Sequence, residues 1–139
     1  MSESGYAVPL VHNAVGIMTP FLLAATGGLF TELTGMLNIA LEGLMLIGAF
    51  FSVVFAAATG SLFLGIVLGI ASSMLAAYLF GVMSLHLKAN IFISGLATNL
   101  LASGLTVVLA FRLFGNKGVI RFEGISKLPV LTIPWLQKV

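Results

Sequence analysis

The residues with the greatest chemical potential lie between positions 31 and 43. Asn38 and Glu42 are four residues apart, and that spacing places their side chains on one face of a helix. Thr34, four residues before Asn38, would extend this polar face if the helix started early. A carboxylate inside a membrane helix costs about 2.5–3.5 kcal/mol on insertion scales. If this segment crosses a membrane, Glu42 must therefore face a wet cavity, the interior of a helix bundle or a hydrogen-bonding partner. The polar face therefore either lines a solute path or braces the bundle, with Asn99 as one candidate structural partner for Glu42.

Two glycines flank this polar face. Gly35 precedes Asn38, and Gly43 follows Glu42. Glycine tolerates backbone conformations that interrupt a helix, and discontinuous helices that expose backbone at mid-depth recur in transporters. The sequence therefore predicts that the helix carrying this face is broken, with Gly35 and Gly43 as the helix-break positions.

The composition places these residues in a lipid environment. Of the 139 residues, 60% are hydrophobic and 7% are charged, whereas soluble domains carry about 25% charged residues. The mean hydropathy is +1.19. These values argue against a soluble enzyme or a secreted disulfide domain, and they predict an all-α integral membrane protein.

Missing residue types exclude several kinds of chemistry. The chain has no Cys and no Asp, and its two histidines, His12 and His86, are far apart. These absences argue against a cysteine nucleophile, an Asp-containing triad and a metal site. No phosphate-binding P-loop motif occurs, and the scattered basic residues lack the aromatic interleaving of a nucleic-acid surface. We therefore expect no catalytic residues, no metal, no cofactor within this chain and no nucleic-acid partner.

Long uncharged stretches predict the membrane spans. A bilayer core takes about 20 helical residues, so the uncharged stretch 43–87 is too long for one crossing and must turn back. Small and polar residues at 58–61 supply the turn. We predict four transmembrane helices, at residues 10–30, 36–58, 62–85 and 90–113. The chain then divides into an N-terminal tail at 1–9, the helices within 10–114, and an aqueous or interfacial loop segment at 115–139.

Small side chains recur along the third predicted helix at every fourth position: Gly65, Gly69, Ser73, Ala77 and Gly81. Because lipid is as apolar as leucine, membrane helices associate through close contact, which small residues permit. This small-residue strip therefore predicts helix packing. In the fourth predicted helix, Asn99 lies among further small residues, where it either makes a structural interhelical hydrogen bond or lines a solute path.

Several short runs of residues together resemble a known family. They are Thr19-Pro20-Phe21-Leu22-Leu23-Ala24-Ala25, Gly27-Gly28-Leu29-Phe30-Thr31-Glu32, Gly35, Asn38-Ile39, Glu42-Gly43, Ile47-Gly48-Ala49-Phe50, Ser94-Gly95, Asn99-Leu100-Leu101 and Gly104-Leu105-Thr106. Over roughly residues 15–115 the combination resembles the permease subunits of bacterial ABC importers. It is most similar to the branch that imports nucleosides with Bmp-type lipoproteins, a relative of the ribose and branched-chain amino-acid permeases.

The resemblance implies a transmembrane subunit in the bundle of a type II-like importer. Such permeases pair with a second permease subunit, rest on ATPase subunits that bind ATP and Mg²⁺, and receive solute from an extracytoplasmic solute-binding lipoprotein. It also implies that Asn38, Glu42 and Gly43 lie in a broken central helix that lines or braces the path, with Asn99 beside it. The implied solutes are nucleosides, with simple sugars and branched-chain amino acids as alternatives.

This chain is shorter than the members of the family that it resembles. Family members run to about twice this length, so the resemblance covers the N-terminal half and stops before the next membrane helix. A truncated product, a fragment or one piece of a split subunit is therefore expected. The alternative is a small four-helix membrane scaffold or accessory protein without transport activity.

The charges and the resemblance disagree on topology. Four spans put both termini on one side, together with Arg112 and the basic residues that follow it, and put Lys88 on the other side. Positive charges alone would place the termini in the cytoplasm. The family pattern places them outside the bacterial cytoplasmic (inner, or cell) membrane. We favour extracytoplasmic termini. The positive-charge rule applies to all loops of a complete protein, and this chain resembles only the N-terminal half of one.

Overall fold

A computed structural model describes residues 4–115 of the chain, with side chains from residue 9 onward. This part folds into four α-helices: α1 (Ser4–Leu33), α2 (Leu41–Thr59), α3 (Leu62–Gly81) and α4 (Ile91–Phe114). A π-helical turn, Val82–His86, continues α3. All four helices are long and apolar enough to cross a membrane. The all-α membrane class and the four predicted spans are therefore confirmed.

Most helix boundaries are close to the prediction. Helix α1 extends beyond the predicted span 10–30 at both ends, whereas α3 with its π-turn and α4 closely match 62–85 and 90–113. The loop segment predicted at 115–139 lies outside the described residues except for Gly115. Hydropathy therefore located all four helices, although α1 begins six residues earlier than predicted and α2 five residues later.

Local capping explains how the helices end and begin. Gly60 follows α2 with a φ of 66°, which glycine adopts without the penalty of a Cβ, and its N–H donates to the Ala56 carbonyl. Before α4, the Asn90 side-chain oxygen accepts hydrogen bonds from the N–H groups of Phe92 and Ile93, at 2.9 and 3.3 Å. Such caps satisfy N–H groups that have no partner within the helix.

Helices α2 and α3 form the tightest pair, and glycines on α3 make the contact possible. A Cβ at Gly65 would lie 2.6 Å from Ala56 Cβ and 2.7 Å from the Ser52 carbonyl oxygen. A Cβ at Gly69 would collide with the Ser52 hydroxyl and lie 2.8 Å from the Gly48 carbonyl oxygen. The two helices therefore touch backbone to backbone, which is the contact that small residues permit in membranes.

The small-residue strip packs over most of its length but not at its end. The Ser73 hydroxyl donates a hydrogen bond of 2.9 Å to the Leu44 carbonyl, and Ala77 packs against the small apolar core. At Gly81, no described atom lies within 4 Å of the position of a Cβ. The antiparallel register places Gly81 beyond the start of α2, so, contrary to the prediction, Gly81 does not pack against another of the described helices.

Helix α1 packs little against the other helices. Its apolar side chains are largely exposed, as at Phe21 (68%) and Phe30 (72%). Its close approach to α2 is at Gly28, where a Cβ would lie 3.0 Å from Leu41 Cδ1. Exposed apolar surface of this extent suits contact with lipid or with further membrane helices.

Helix α2 begins later than predicted. It starts at Leu41, and residues 34–40 are not helical. Gly35 has a φ of +83°, a left-handed conformation that ends the run of helical residues from α1. The Asn38 side-chain oxygen then accepts a hydrogen bond of 3.2 Å from the Ala40 N–H. Local bonds of this kind compete with helix formation.

Two predictions about this region are corrected. Thr34, Asn38 and Glu42 do not share a helical face, because only Glu42 lies within α2. A helix break at Gly43 is also wrong, because Gly43 is in the first turn of a continuous helix. The irregular segment 34–40 instead precedes α2, with Gly35 near its start.

Candidate functional site

The candidate site lies at the end of the bundle where α1 ends and α2 begins. The irregular segment 34–40 joins these two helices. Because the helices alternate in direction, the π-turn after α3 and the start of α4 lie at the same end. The polar residues that the sequence singles out around position 38 therefore lie at one end of the bundle, between helix termini.

Asn99 connects α4 to the start of α2. Its Oδ1 accepts a hydrogen bond of 2.8 Å from the Gly43 N–H, and its Nδ2 donates one of 2.9 Å to the Ile39 carbonyl. The first N–H groups of a helix have no helical partner, and Asn99 satisfies one of them. Asn99 thus makes a structural interhelical contact with the backbone, and the suggested pairing with Glu42 is not formed.

Two glycines permit this close contact between α2 and α4. A Cβ at Gly43 would lie 2.8 Å from Asn99 Oδ1 and 3.1 Å from Ala102 Cβ. A Cβ at Gly95 would lie 2.7 Å from Ile39 Cβ. Gly43 is therefore needed for the approach of a neighbouring helix, and the residues just before α2 are held tightly against α4.

A cavity of about 200 Å³ lies between the irregular segment and α3. Thr31, Thr34 and Asn38 supply its polar lining, and Phe80 and Leu85 belong to its apolar lining. Binding pockets typically combine mostly apolar walls with a few polar groups that orient the ligand. The cavity therefore combines apolar walls with a few polar groups, as binding pockets do.

Hydrogen bonding determines what the polar lining can offer a solute. Asn38 uses its Oδ1 in the bond to Ala40, while its Nδ2 has no partner among the described residues. The hydroxyls of Thr31 and Thr34 donate to the carbonyls of Gly28 and Thr31, at 2.7 and 2.6 Å. Both hydroxyl oxygens therefore keep capacity to accept. The polar side chains among the lining residues therefore retain one amide donor and two oxygen acceptors.

Glu42 does not line this cavity. It is exposed in the first turn of α2, and it has no hydrogen bond or ion pair among the described residues. A carboxylate in this position is favoured by the positive end of the helix dipole. The spacing of four residues groups Glu42 with Thr34 and Asn38 in the sequence. In the structure, Glu42 is separate from the other two.

The structure also adds residues that the sequence did not single out. Phe80 and Leu85 join the cavity because α3 and its π-turn run beside the irregular segment. With eleven Phe in the chain, nothing in the sequence distinguished Phe80. The sequence only weakly indicated the contact between Gly95 and Ile39: Gly95 is one of the small residues near Asn99, and small residues often mark close helix packing.

A second cavity, of about 270 Å³, lies among α2, α3 and α4. Its lining is almost entirely apolar and includes Ile47, Leu79, Leu101 and Leu105. Such a lining suits an apolar chain or helix and offers little for recognition of a polar solute. The chemistry of the described residues is therefore concentrated in the cavity beside Asn38.

Comparison with known proteins identifies one permease family and several similar transporter permeases. The chain matches the family described as branched-chain amino acid transport system / permease component over residues 10–135. It is 35% identical over 140 residues to the nucleoside ABC transporter permease protein NupC of Lactococcus lactis, covering 94% of this chain and 44% of that protein. It is 36% identical over 132 residues to the guanosine ABC transporter permease protein NupQ of Bacillus subtilis, covering 81% and 40%.

A third relative is named for a different solute. The provisionally named glucose ABC transporter permease protein TsgC13 of Haloferax volcanii is 37% identical over 129 residues, covering 93% of this chain and 37% of that protein. The chain thus spans less than half the length of these curated relatives. No solved structure matches it. With four membrane-spanning helices and a family match over most of its length, the chain belongs to the ABC transporter permease family of the branched-chain amino acid transport system type.

Proposed function

We propose that the chain forms part of the membrane permease of an ATP-driven importer and that the imported solute is a nucleoside. The observation that carries this proposal is the similarity to NupC and NupQ, whose names specify nucleoside and guanosine transport. The similarity extends over 94% and 81% of this chain. It therefore includes the helices that surround the cavity beside Asn38.

The chemistry of the cavity supports a nucleoside as the solute. A nucleoside combines a flat, weakly polar base with ring nitrogens that accept hydrogen bonds and a ribose whose hydroxyls donate them. The free Asn38 Nδ2 is a donor for the base, and the oxygens of Thr31 and Thr34 are acceptors for the ribose. Phe80, which is only 6% exposed, contributes to the apolar wall beside the base. In this proposal Asn38 and Thr34 contact solute, while Asn99 and Gly43 support the cavity wall.

The family relationship favours three kinds of partner for this chain: a second permease subunit, ATPase subunits and a solute-binding lipoprotein. The permease pairs with a second permease subunit and with ATPase subunits, which bind ATP and Mg²⁺. An extracytoplasmic lipoprotein delivers the solute. The complex lies in the bacterial cytoplasmic membrane, with the termini of this chain on the extracytoplasmic side. ATP hydrolysis belongs to the partner subunits, and this chain contributes part of the path.

Deletion of the gene tests the proposed solute. Cells that lack the gene are expected to take up radiolabelled guanosine much more slowly, because an importer without a complete path does not transport. Uptake of glucose and leucine should remain unchanged, and a plasmid copy of the gene should restore guanosine uptake. Normal guanosine uptake together with a loss of glucose or leucine uptake would show that the solute assignment is wrong.

A simple sugar is the second candidate solute. The similarity to TsgC13 favours it, at 37% identity over 93% of this chain. A sugar would use the threonine oxygens and the Asn38 amide but would have no aromatic base to place beside Phe80. The same uptake measurements distinguish the two candidates, because a sugar importer would lose glucose uptake on deletion.

A further inference from the structure

Asn99 occupies the place of one helical hydrogen bond at the start of α2. In an α-helix the Gly43 N–H would donate to the carbonyl of Ile39, four residues earlier. Here that N–H donates to Asn99 Oδ1 at 2.8 Å, and the Ile39 carbonyl accepts from Asn99 Nδ2 at 2.9 Å. A single carboxamide therefore separates two backbone groups that would otherwise pair with each other.

The next hydrogen bond along the helix is intact. The Leu44 N–H donates to the Ala40 carbonyl at 3.0 Å, which is the regular spacing of an α-helix. Helical bonding thus begins at the residue immediately after the point where Asn99 inserts. The start of α2 coincides with the tertiary contact from α4.

The residues before α2 do not themselves forbid a helix. Residues 36–40 read Met-Leu-Asn-Ile-Ala and contain no glycine or proline, and Met, Leu and Ala are good helix formers. The left-handed Gly35 lies ahead of this stretch. Two contacts compete with helix formation here: the contact of Asn99 with Gly43 and Ile39, and the local bond of 3.2 Å from the Ala40 N–H to Asn38 Oδ1.

We propose that Asn99 is a positioning residue that sets where α2 begins and thereby keeps residues 36–38 in the cavity wall. When α4 withdraws the carboxamide, the Gly43 N–H bonds directly to the Ile39 carbonyl, and the helix extends towards residue 36. The extension turns Asn38 onto the helical face of Glu42 and removes that wall of the cavity. A movement of α4 is thus coupled to the shape of the cavity.

Gly43 is required for the same contact with Asn99 at the start of α2. A Cβ at this position would lie 2.8 Å from Asn99 Oδ1 and 3.0 Å from Asn99 Cα, so only glycine leaves room for the inserted carboxamide. Replacement by alanine would displace the Asn99 side chain and push α4 away at Asn99 Cα and Ala102 Cβ, and it would also favour helix at this position. Asn99→Ala and Gly43→Ala therefore approach the same extended helix by independent routes.

The test is a carbon-13 NMR measurement on the full chain in lipid nanodiscs. In Asn99→Ala we expect the Cα shifts of residues 36–40 to move to helical values. We also expect the amide protons of Leu41 and Glu42 to exchange about tenfold more slowly, because each gains a carbonyl partner four residues earlier. Gly43→Ala should produce the same shifts, and it gives the answer if Asn99→Ala does not fold.

Ser103→Ala is the matched control. Ser103 is an exposed residue on the same helix, and its hydroxyl donates within α4 to the Leu100 carbonyl at 3.0 Å. Its replacement should leave residues 36–40 unchanged. Non-helical shifts at 36–40 in both test variants, or faster exchange at Leu41 and Glu42 without helical shifts, would overturn the proposal. The role given to the cavity rests on the proposed transport function, but the NMR readout does not depend on transport.

Discussion

Replacing Gly65 by alanine is expected to destabilise the packed bundle by about 1–3 kcal/mol, the usual cost of forcing extra volume into a well-packed contact. The added Cβ would lie 2.7 Å from the Ser52 carbonyl oxygen and 2.8 Å from Ala56 Cα. Both atoms belong to the α2 backbone, so a side-chain rotation cannot relieve the contact and the two helices must separate. Reversible unfolding of the full chain in mixed detergent micelles measures the change.

Gly81→Ala is the matched control for this prediction. Gly81 lies on the same helix and in the same sequence repeat, but no described atom lies within 4 Å of the position of its Cβ. Because alanine favours helix over glycine by about 0.5–1 kcal/mol, this variant should be neutral or slightly more stable. Equal stability of Gly65→Ala and Gly81→Ala would contradict the close α2–α3 packing.

Replacing Asn38 by aspartate is expected to reduce nucleoside uptake by about 10- to 100-fold, because a buried acceptor on the solute loses its donor. Aspartate keeps the side-chain oxygen that accepts from the Ala40 N–H, so the local turn is retained. It lacks the Nδ2 donor that faces the solute in the proposed mode of binding. Initial rates of radiolabelled guanosine uptake, divided by the amount of the chain in the membrane, measure the effect.

The corresponding control is Asn13→Asp. Asn13 is an exposed residue on α1 and does not line the cavity, so the same chemical change there should leave the rate per molecule unchanged. Asn38→Ser provides a second test without an added charge, because a serine hydroxyl can keep the local turn. Full uptake by both Asn38 variants would show that the Asn38 amide does not contact the solute.

Hydropathy was sufficient to predict the architecture. Four apolar stretches separated by small or charged residues gave four helices, because each must satisfy its backbone hydrogen bonds within the bilayer. The four-residue repeat of Gly65, Gly69 and Ser73 likewise predicted the packed face of α3, since close contact requires small side chains. The helices and the packed face of α3 could be predicted because each depends only on the residue types within one segment of the chain.

The start of α2 was not predictable in this way. In the proposed account it is set by Asn99, which accepts a hydrogen bond from the Gly43 N–H and donates one to the Ile39 carbonyl, 56 and 60 residues away in sequence. Periodicity within residues 34–42 carries no information about that contact. The same reason explains why Asn38 and Glu42, which are four residues apart, are separated in the structure: one lies in the irregular segment and the other in α2.

Guanosine transport by the purified importer tests the central claim most directly. The proposed importer would be isolated from native membranes through an affinity tag on this chain and reconstituted into liposomes with the proposed binding lipoprotein. We predict that radiolabelled guanosine accumulates only when ATP is supplied on the ATPase side, and that unlabelled nucleosides compete whereas glucose and leucine do not. Accumulation that needs no ATP, or competition by glucose or leucine in place of nucleosides, would contradict the assignment of this chain to a nucleoside importer.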